Sequence, residues 1–312
     1  MTGHATDETP MVSILIPAYN HEDFVERCLD SVLEDPYPAK EVVIIDDGST
    51  DKTAERIAGW IARHGHEVRC EFVQRDNRGI ATTLNELAAR ARGELLRIGA
   101  SDDYFLPGSL RTLVDYLRAH PRKGAVIGDS IVIDREGRTL HASGMCDLHR
   151  ADKRDYLSDL GIRRAVISRW AIGGPVTLLR RSELETVARW TEGLRIDDWD
   201  LFLRLAARDA IGFIDVRVCA YRLHGRNVSK TRHRATRILH LEESRQVAMH
   251  RLALFDEPYR TLLRAQIHYI GAKIAFLQSQ YRDVVLRLAC YALLRLRWRL
   301  RLPGLPARAE RA

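Results

Sequence analysis

The chain has 312 residues, of which 46% are apolar, enough for one large domain or a domain with an appendage. It carries a net charge of +7, but eight arginines and two acids, Asp283 and Glu310, lie between Tyr281 and Ala312; that stretch supplies +6, so the body is close to neutral. A phosphate-binding footprint spread over the molecule, and with it a general nucleic-acid-binding role, is excluded.

Residues 1–10 read as a disordered N-terminus, and "MTGHATDETPM" has neither the basic region nor the apolar core of a secretory signal. Five scattered cysteines, Cys28, Cys70, Cys146, Cys219 and Cys290, contain no CxxC pair, which suits a reducing compartment. The expectation is a cytoplasmic protein.

"MVSILIPAYN" predicts a first strand ending at Pro17. Phe24, Val25, Cys28, Leu29, Val32 and Leu33 have helical spacing, and "PYP" stops that helix. A second strand is predicted over Glu41–Ile45, with a helix over Thr53–His64 that Asp51 or Ser49 can cap. "EVRCEFVQ" is a third strand, "GIATTLNELAARAR" a third helix and "GELLRIGA" a fourth strand. This alternation implies an α/β fold with a doubly wound, mostly parallel sheet. "SLRTLVDYLRAH" is helical and "GAVIGDSIVIDREGRTL" a hairpin turning at Arg135–Gly137, followed by an irregular span from Cys146 to Ser168 with one short helix. "PVTLLRRSELETVARW" passes from strand to helix, "DDWDLFLRLAAR" is helical and "AIGFIDVRVCAYRLH" is a strand. From Thr231 the chain reads as helix, broken at Asp256–Pro258.

Three acidic clusters stand at predicted strand ends or helix starts: Asp46/Asp47, Asp102/Asp103 and Asp197/Asp198/Asp200. Any single aspartate there can be a helix cap. Asp102 and Asp103 cannot both be caps, and adjacent carboxylates at the end of an apolar strand suit a divalent cation such as Mg²⁺ or Mn²⁺. Such a cation relieves the repulsion between these carboxylates and a diphosphate, and stabilises the charge on a departing one.

"VSILIPAYNHEDFVERCLDSVL", "EVVIIDDGSTDKT", "NRGIATTLNELAARARGE", "SDDYFLPGSL", "DDWDLFLRLA" and "YRLHGRNVS", in this order, resemble a family 2 glycosyltransferase with the GT-A fold. The resemblance covers Met11 to Ser229. It implies a GT-A domain over residues 11–230 and a helical region with a basic tail over 231–312. It also implies inverting, metal-dependent transfer from a nucleotide-diphosphate sugar, UDP-linked, to a hydroxyl of a glycan or lipid-linked acceptor, as in surface polysaccharide synthesis.

The same resemblance distributes roles. Pro17, Tyr19 and Asn20 lie at the donor site, with Tyr19 stacking on the base and Asp47 accepting its N3–H. Arg78 can also reach the nucleotide. Asp103 is the main metal ligand and Asp102 meets the ribose; many relatives carry a further aspartate where this chain has Ala100. Asp198 is the general base, Asp197 stands where relatives often have glutamate, and Asp200 is structural. Arg222 and His224 project to one face if the strand stays extended, Arg222 towards the diphosphate and His224 as a third metal ligand. Gly174, Trp170, Trp199 and Asp197 fall beside the acceptor, although either tryptophan suits the core equally well.

Two rival functions fit less well. A sugar-1-phosphate nucleotidyltransferase wants a glycine- and arginine-rich loop after the first strand, which "PAYNHED" does not supply. A silent nucleotide-sugar binder or membrane-docked scaffold has no need of both metal and base carboxylates. The stretch "VVLRLACYALLRLRWRLRLPG" is too interrupted to span a bilayer. It reads either as an interfacial, peripheral membrane anchor or as a helix packed on the catalytic domain with a solvated basic end.

Overall fold

The computed structural model describes residues 9–169, 171–195, 197–225, 227 and 233–300, with Asp197 described by its backbone alone. The strands are β1 (Val12–Ala18), β2 (Lys40–Asp47), β3 (Arg69–Arg75), β4 (Leu95–Ile98), β5 (Tyr104–Phe105), β6 (Ala125–Ile133), β7 (Thr139–His141), β8 (Thr177–Arg180) and β9 (Ile211–Arg222). They form one sheet in the order β3-β2-β1-β4-β8-β6-β9-β5, with β7 paired to β6.

The first half follows directly from the apolar runs. β1 and β2 are almost wholly buried because helices α1 (Val25–Glu34), α2 (Thr53–His64) and α3 (Ile80–Arg90) cross over between parallel strands. Parallel register sets Ala18 beside Asp46 and Asp47 beside Arg75, so both carboxylates emerge at the carboxyl edge of the sheet.

Beyond β4 the pairing becomes mixed. β8 runs antiparallel to β4 and to β6, β9 is parallel to β6, and β5 is antiparallel to β9. The expected mostly parallel sheet is thus continuously parallel over β3, β2, β1 and β4, while the second half adds antiparallel pairs beside the parallel β6–β9 pair. A hairpin through Gly137, with φ +88°, can only join antiparallel strands, here β6 and β7. Arg97 locks this junction: fully buried in β4, it donates to the carbonyls of Thr177 and Val218, while burial pulls its pKa down to about 10.

α4 (Ser109–Ala119), α5 (Asp159–Ser168), α6 (Arg181–Thr186) and α7 (Asp197–Ala207) complete the sheet domain. α8 (Arg234–His250), α9 (Tyr259–Leu277) and α10 (Tyr281–Leu300) follow it. Val247, Ala248, Leu262 and Leu263 join the main apolar core, so this helical region packs onto the sheet domain. The expected break falls between α8 and α9. A second break separates α9 from α10 at Ser279, whose φ of +61° lies in the left-handed region. The short polar run Gln278–Gln280, with neither glycine nor proline, gave little warning of it. Residues 1–8, part of the expected disordered N-terminus, lie outside the described residues.

Candidate active site

At the carboxyl edge of β1 and β2, Pro17 is half-buried and Tyr19 is 47% exposed, which leaves the ring open to a planar ligand. Asn20, in the left-handed region at φ +53°, ties this turn to the next one. Its N–H donates to Ser49 Oγ at 2.8 Å, and its Oδ1 accepts from Thr50 N at 2.8 Å. Gly48 allows the loop after β3 to approach, because a Cβ there would lie 2.6 Å from Asn77 N.

The two carboxylates of this turn differ. Asp46 is fully buried and accepts from Ser49 N. Asp47 faces the loop after β3, accepting from Arg78 N at 2.9 Å, Gly79 N at 3.0 Å and the Arg75 guanidinium. Asp51 serves the start of α2 through Thr53 N, so Asp47 has no part in capping that helix. A carboxylate has about four lone-pair sites, so Asp47 can take a further donor. The Arg78 side chain is 59% exposed, with Glu86 3.8 Å away. Arg75 was not singled out in the sequence; only its parallel register with Asp47 marks it.

The second cluster forms where β5 pairs with β9, Tyr104 beside Ala220 and Phe105 beside Cys219. This pairing brings Asp102 and Asp103 to the end of β9. His224 Nε2 lies 3.0 Å from Asp102 Oδ2, and His21 Nε2 lies 3.8 Å from the same oxygen. His21 Nδ1 is 2.8 Å from Ser101 Oγ, which orients the ring. The ligand atoms of His21, Asp102 and His224 all lie within 4.8 Å of one another, a spacing that fits one divalent ion. Burial alone would raise the Asp102 carboxyl, but the His224 hydrogen bond and the His21 and His224 charges outweigh it and hold the pKa below the usual value.

Asp103 has the opposite surroundings. It is buried, its Oδ1 accepts from Arg222 N at 2.8 Å, and burial with the Asp102 charge pushes its pKa well above the ordinary range. Of the pair, Asp102 is the carboxylate that meets the histidines, whereas Asp103, expected as the main metal ligand, meets the Arg222 backbone N–H. His21 was missed, since a histidine following "YN" carries no spacing signal to a carboxylate 81 positions away.

Arg222 also differs from expectation. It is buried, with Nε on Asp102 O and Nη1 on the carbonyls of Asp134 and Arg135, and its guanidinium lies 4.9 Å from the Phe24 ring centre. These bonds make it a brace between β9, the Asp102 turn and the β6–β7 hairpin.

The third cluster opens α7. Asp198 Oδ2 accepts from Gly174 N at 3.1 Å. A Cβ on Gly174 would lie 2.8 Å from Ile98 Cγ2 and 3.6 Å from Asp198 Oδ1, so this carboxylate sits beside the end of β4, four residues before Asp102. Burial, partly offset by the Gly174 hydrogen bond, raises its pKa to about 6. Trp199, considered for sugar stacking, is a core residue: it is buried and its Nε1 donates to Val166 O at 2.8 Å. Asp200 is structural, pairing with Arg251 at 2.6 Å and Arg204 at 3.0 Å and accepting from Thr191. Trp170 and the Asp197 side chain lie outside the described residues.

The model of the family described as "Glycosyl transferase family 2" matches residues 13–176. The chain is 29% identical over 228 residues to a chondroitin synthase of Escherichia coli, covering 70% of this chain and 30% of that one. It is 31% identical over 201 residues to a poly-beta-1,6-N-acetyl-D-glucosamine synthase of Staphylococcus epidermidis, covering 62% and 46%. The chain thus spans less than half the length of either relative. Among solved structures it is similar to the mannosyltransferase PcManGT from Pyrobaculum calidifontis in complex with GDP-Man and Mn²⁺. That likeness has a TM-score of 0.64 at 22% identity and covers 94% of this chain and 81% of that one. It is also similar to S. aureus TarS 1-349 in complex with UDP-GlcNAc, with a TM-score of 0.63 at 16% identity over 93% and 92%. At these identities the likeness is one of fold, the GT-A fold. With more than half of its residues matched by the family model, the chain belongs to glycosyl transferase family 2 and is a glycosyltransferase.

Proposed function

We propose that the protein transfers a sugar, with inversion, from a nucleotide-diphosphate donor to a hydroxyl of a glycan or lipid-linked acceptor in surface polysaccharide synthesis. The observation that carries this reading is the Asp198 carboxyl, raised to about 6 and held by Gly174 N–H beside the strand that leads to Asp102. Relatives named as polymer synthases support the pathway, and neighbours bound to UDP-GlcNAc and GDP-Man support the donor class.

Asp47 accepts a base N–H while Tyr19 covers the base face, an arrangement suited to a UDP-linked sugar. Arg78 reaches the diphosphate from its exposed position. His21, Asp102 and His224 would hold a divalent cation, and two imidazoles with one carboxylate would favour Mn²⁺ over the oxygen-seeking Mg²⁺. When bound, that ion supplies positive charge against the departing diphosphate. Asp198 takes the proton from the acceptor hydroxyl as its oxygen bonds to the anomeric carbon and the bond to the diphosphate oxygen breaks. A carboxylate near pKa 6 is a stronger base than a surface aspartate, yet largely ionised at neutral pH.

A donor screen tests the reading. UDP-, GDP- and dTDP-sugars are incubated with the protein and Mn²⁺, Mg²⁺ or EDTA, and nucleoside diphosphate is measured. Metal-dependent release from one donor, lost in Asp198→Asn, is expected. Failure of calorimetry to detect binding of any of these donors would overturn the proposal.

A further inference from the structure

α10 meets the molecule through one face only. Trp298 is buried, the Tyr291 ring lies tilted with its centre 5.1 Å from that of Tyr269 of α9, and Arg287 packs over Gly271 while pairing with Asp283. The opposite face is apolar and open: Val285 is 68% exposed, Leu286 66%, Leu293 68%, Leu296 54% and Leu300 79%. Leu286, Ala289, Leu293, Leu296 and Leu300 recur at intervals of four and three and line up along the helix.

The arginines, which the sequence scatters around the axis, are sorted by the packing. Arg287 and Arg295 lie on the packed side, Arg295 over the Tyr291 and Trp298 rings. Arg282, Arg297 and Arg299 are exposed around the apolar stripe. The only acid in α10, Asp283, is already paired with Arg287. The sequence after the helix adds three arginines and one acid.

We propose that this face docks on an anionic lipid bilayer, with α10 lying in the interfacial plane, its leucines in the acyl boundary and its outer arginines among the lipid phosphates. Long arginine stems can lie along an apolar surface while their heads reach the phosphates. A second copy is a poorer occupant, because pairing two such stripes sets arginine against arginine with no exposed acid in α10 to compensate. No helix among the described residues is long and apolar enough to cross a membrane, so docking would be peripheral. Leu288, at the border of the stripe, also lines a groove of about 510 Å³ that carries Arg237 and Lys273, a second place for lipid phosphate.

The test is co-sedimentation of the full chain with vesicles of phosphatidylcholine alone or mixed with phosphatidylglycerol. Binding is expected only to the mixed vesicles, and to fall with added salt. Leu293→Glu with Leu296→Glu, and separately Arg297→Glu with Arg299→Glu, should each weaken binding by roughly tenfold or more. All four positions are exposed, so thermal melting should show an unchanged fold. Light scattering reports the oligomeric state in parallel. The proposal is overturned if the wild type ignores anionic vesicles, if both variants bind as it does, or if it is a dimer that the leucine variant dissolves. Vesicle binding is read without donor or acceptor, so this outcome is independent of the transferase reading.

Discussion

His224 reaches across 122 residues to place its Nε2 3.0 Å from Asp102 Oδ2. The contact exists because the two-residue strand β5 pairs with β9 and carries the Asp102 turn to the end of the last strand. His21, from the turn after β1, faces the same oxygen, so three distant segments meet at one point.

That convergence separates the two adjacent aspartates experimentally. Asp102→Asn and His224→Ala should each weaken Mn²⁺ binding by at least about 10–100-fold, read by electron paramagnetic resonance on the protein without donor. Asp103→Asn should retain it. Burial and the Asp102 charge favour the protonated Asp103 carboxyl, and an amide oxygen can still accept the Arg222 N–H. The change in stability for Asp103→Asn should stay within about 1 kcal/mol. Equal loss in both variants would return metal ligation to Asp103.

The proposed base role of Asp198 predicts a pH dependence. If its ionised form takes the acceptor proton, kcat/KM should rise through an acid limb near pH 6, and Asp198→Asn should lower turnover by roughly 10²–10⁴-fold. Stability moves the other way. A carboxyl whose folded pKa is raised contributes stability below its unfolded pKa, and loses it as pH rises towards 6. Above that pH, Asp198→Asn should therefore melt no lower than the wild type. A variant that is both inactive and clearly less stable would point to a structural role.

Gly174→Ala tests how the base is held. The new Cβ would meet Ile98 Cγ2 at 2.8 Å, so either that side chain or the backbone that donates to Asp198 has to move. A drop of about tenfold or more in kcat, with donor affinity unchanged by calorimetry, is expected from displacement of the base. Unchanged turnover would show that the Gly174 hydrogen bond does not position it.

For Trp199 the effect should fall on stability. Trp199→Phe removes the donor to Val166 O in a buried place, costing about 1–3 kcal/mol, which a chemical denaturation series can read. The KM for acceptor should hardly move. A large rise in KM with full stability would restore the sugar-stacking role.

Much of the framework was legible locally. β1 to β4 and their helices could be read from apolar runs and periodicity, because those patterns reflect burial on elements only a few residues long. The Thr53–His64 helix has the predicted bounds, and the acidic clusters lie, as read, at the end of β2, after β4 and at the start of α7. Aspartates at strand ends are conspicuous because burying charge without a partner is costly.

The division of labour within those clusters was decided by tertiary structure. Whether Asp102 or Asp103 faces the histidines depends on the β5–β9 pairing, and Arg222 became a brace because carbonyls from Asp102, Asp134 and Arg135 converge on it. Trp199 turned inward to a carbonyl 33 residues away, while Asp198, its neighbour, met Gly174. The C-terminal arginines were likewise indistinguishable until α9 covered one side of α10. Sequence by itself determined most of the strands and helices, though not β5 or the break between α9 and α10, and which residue types reach the sheet edge, since these follow from local burial patterns. Partners tens to more than a hundred positions away decided which atom of each residue faces the site, and only the folded chain brings them together.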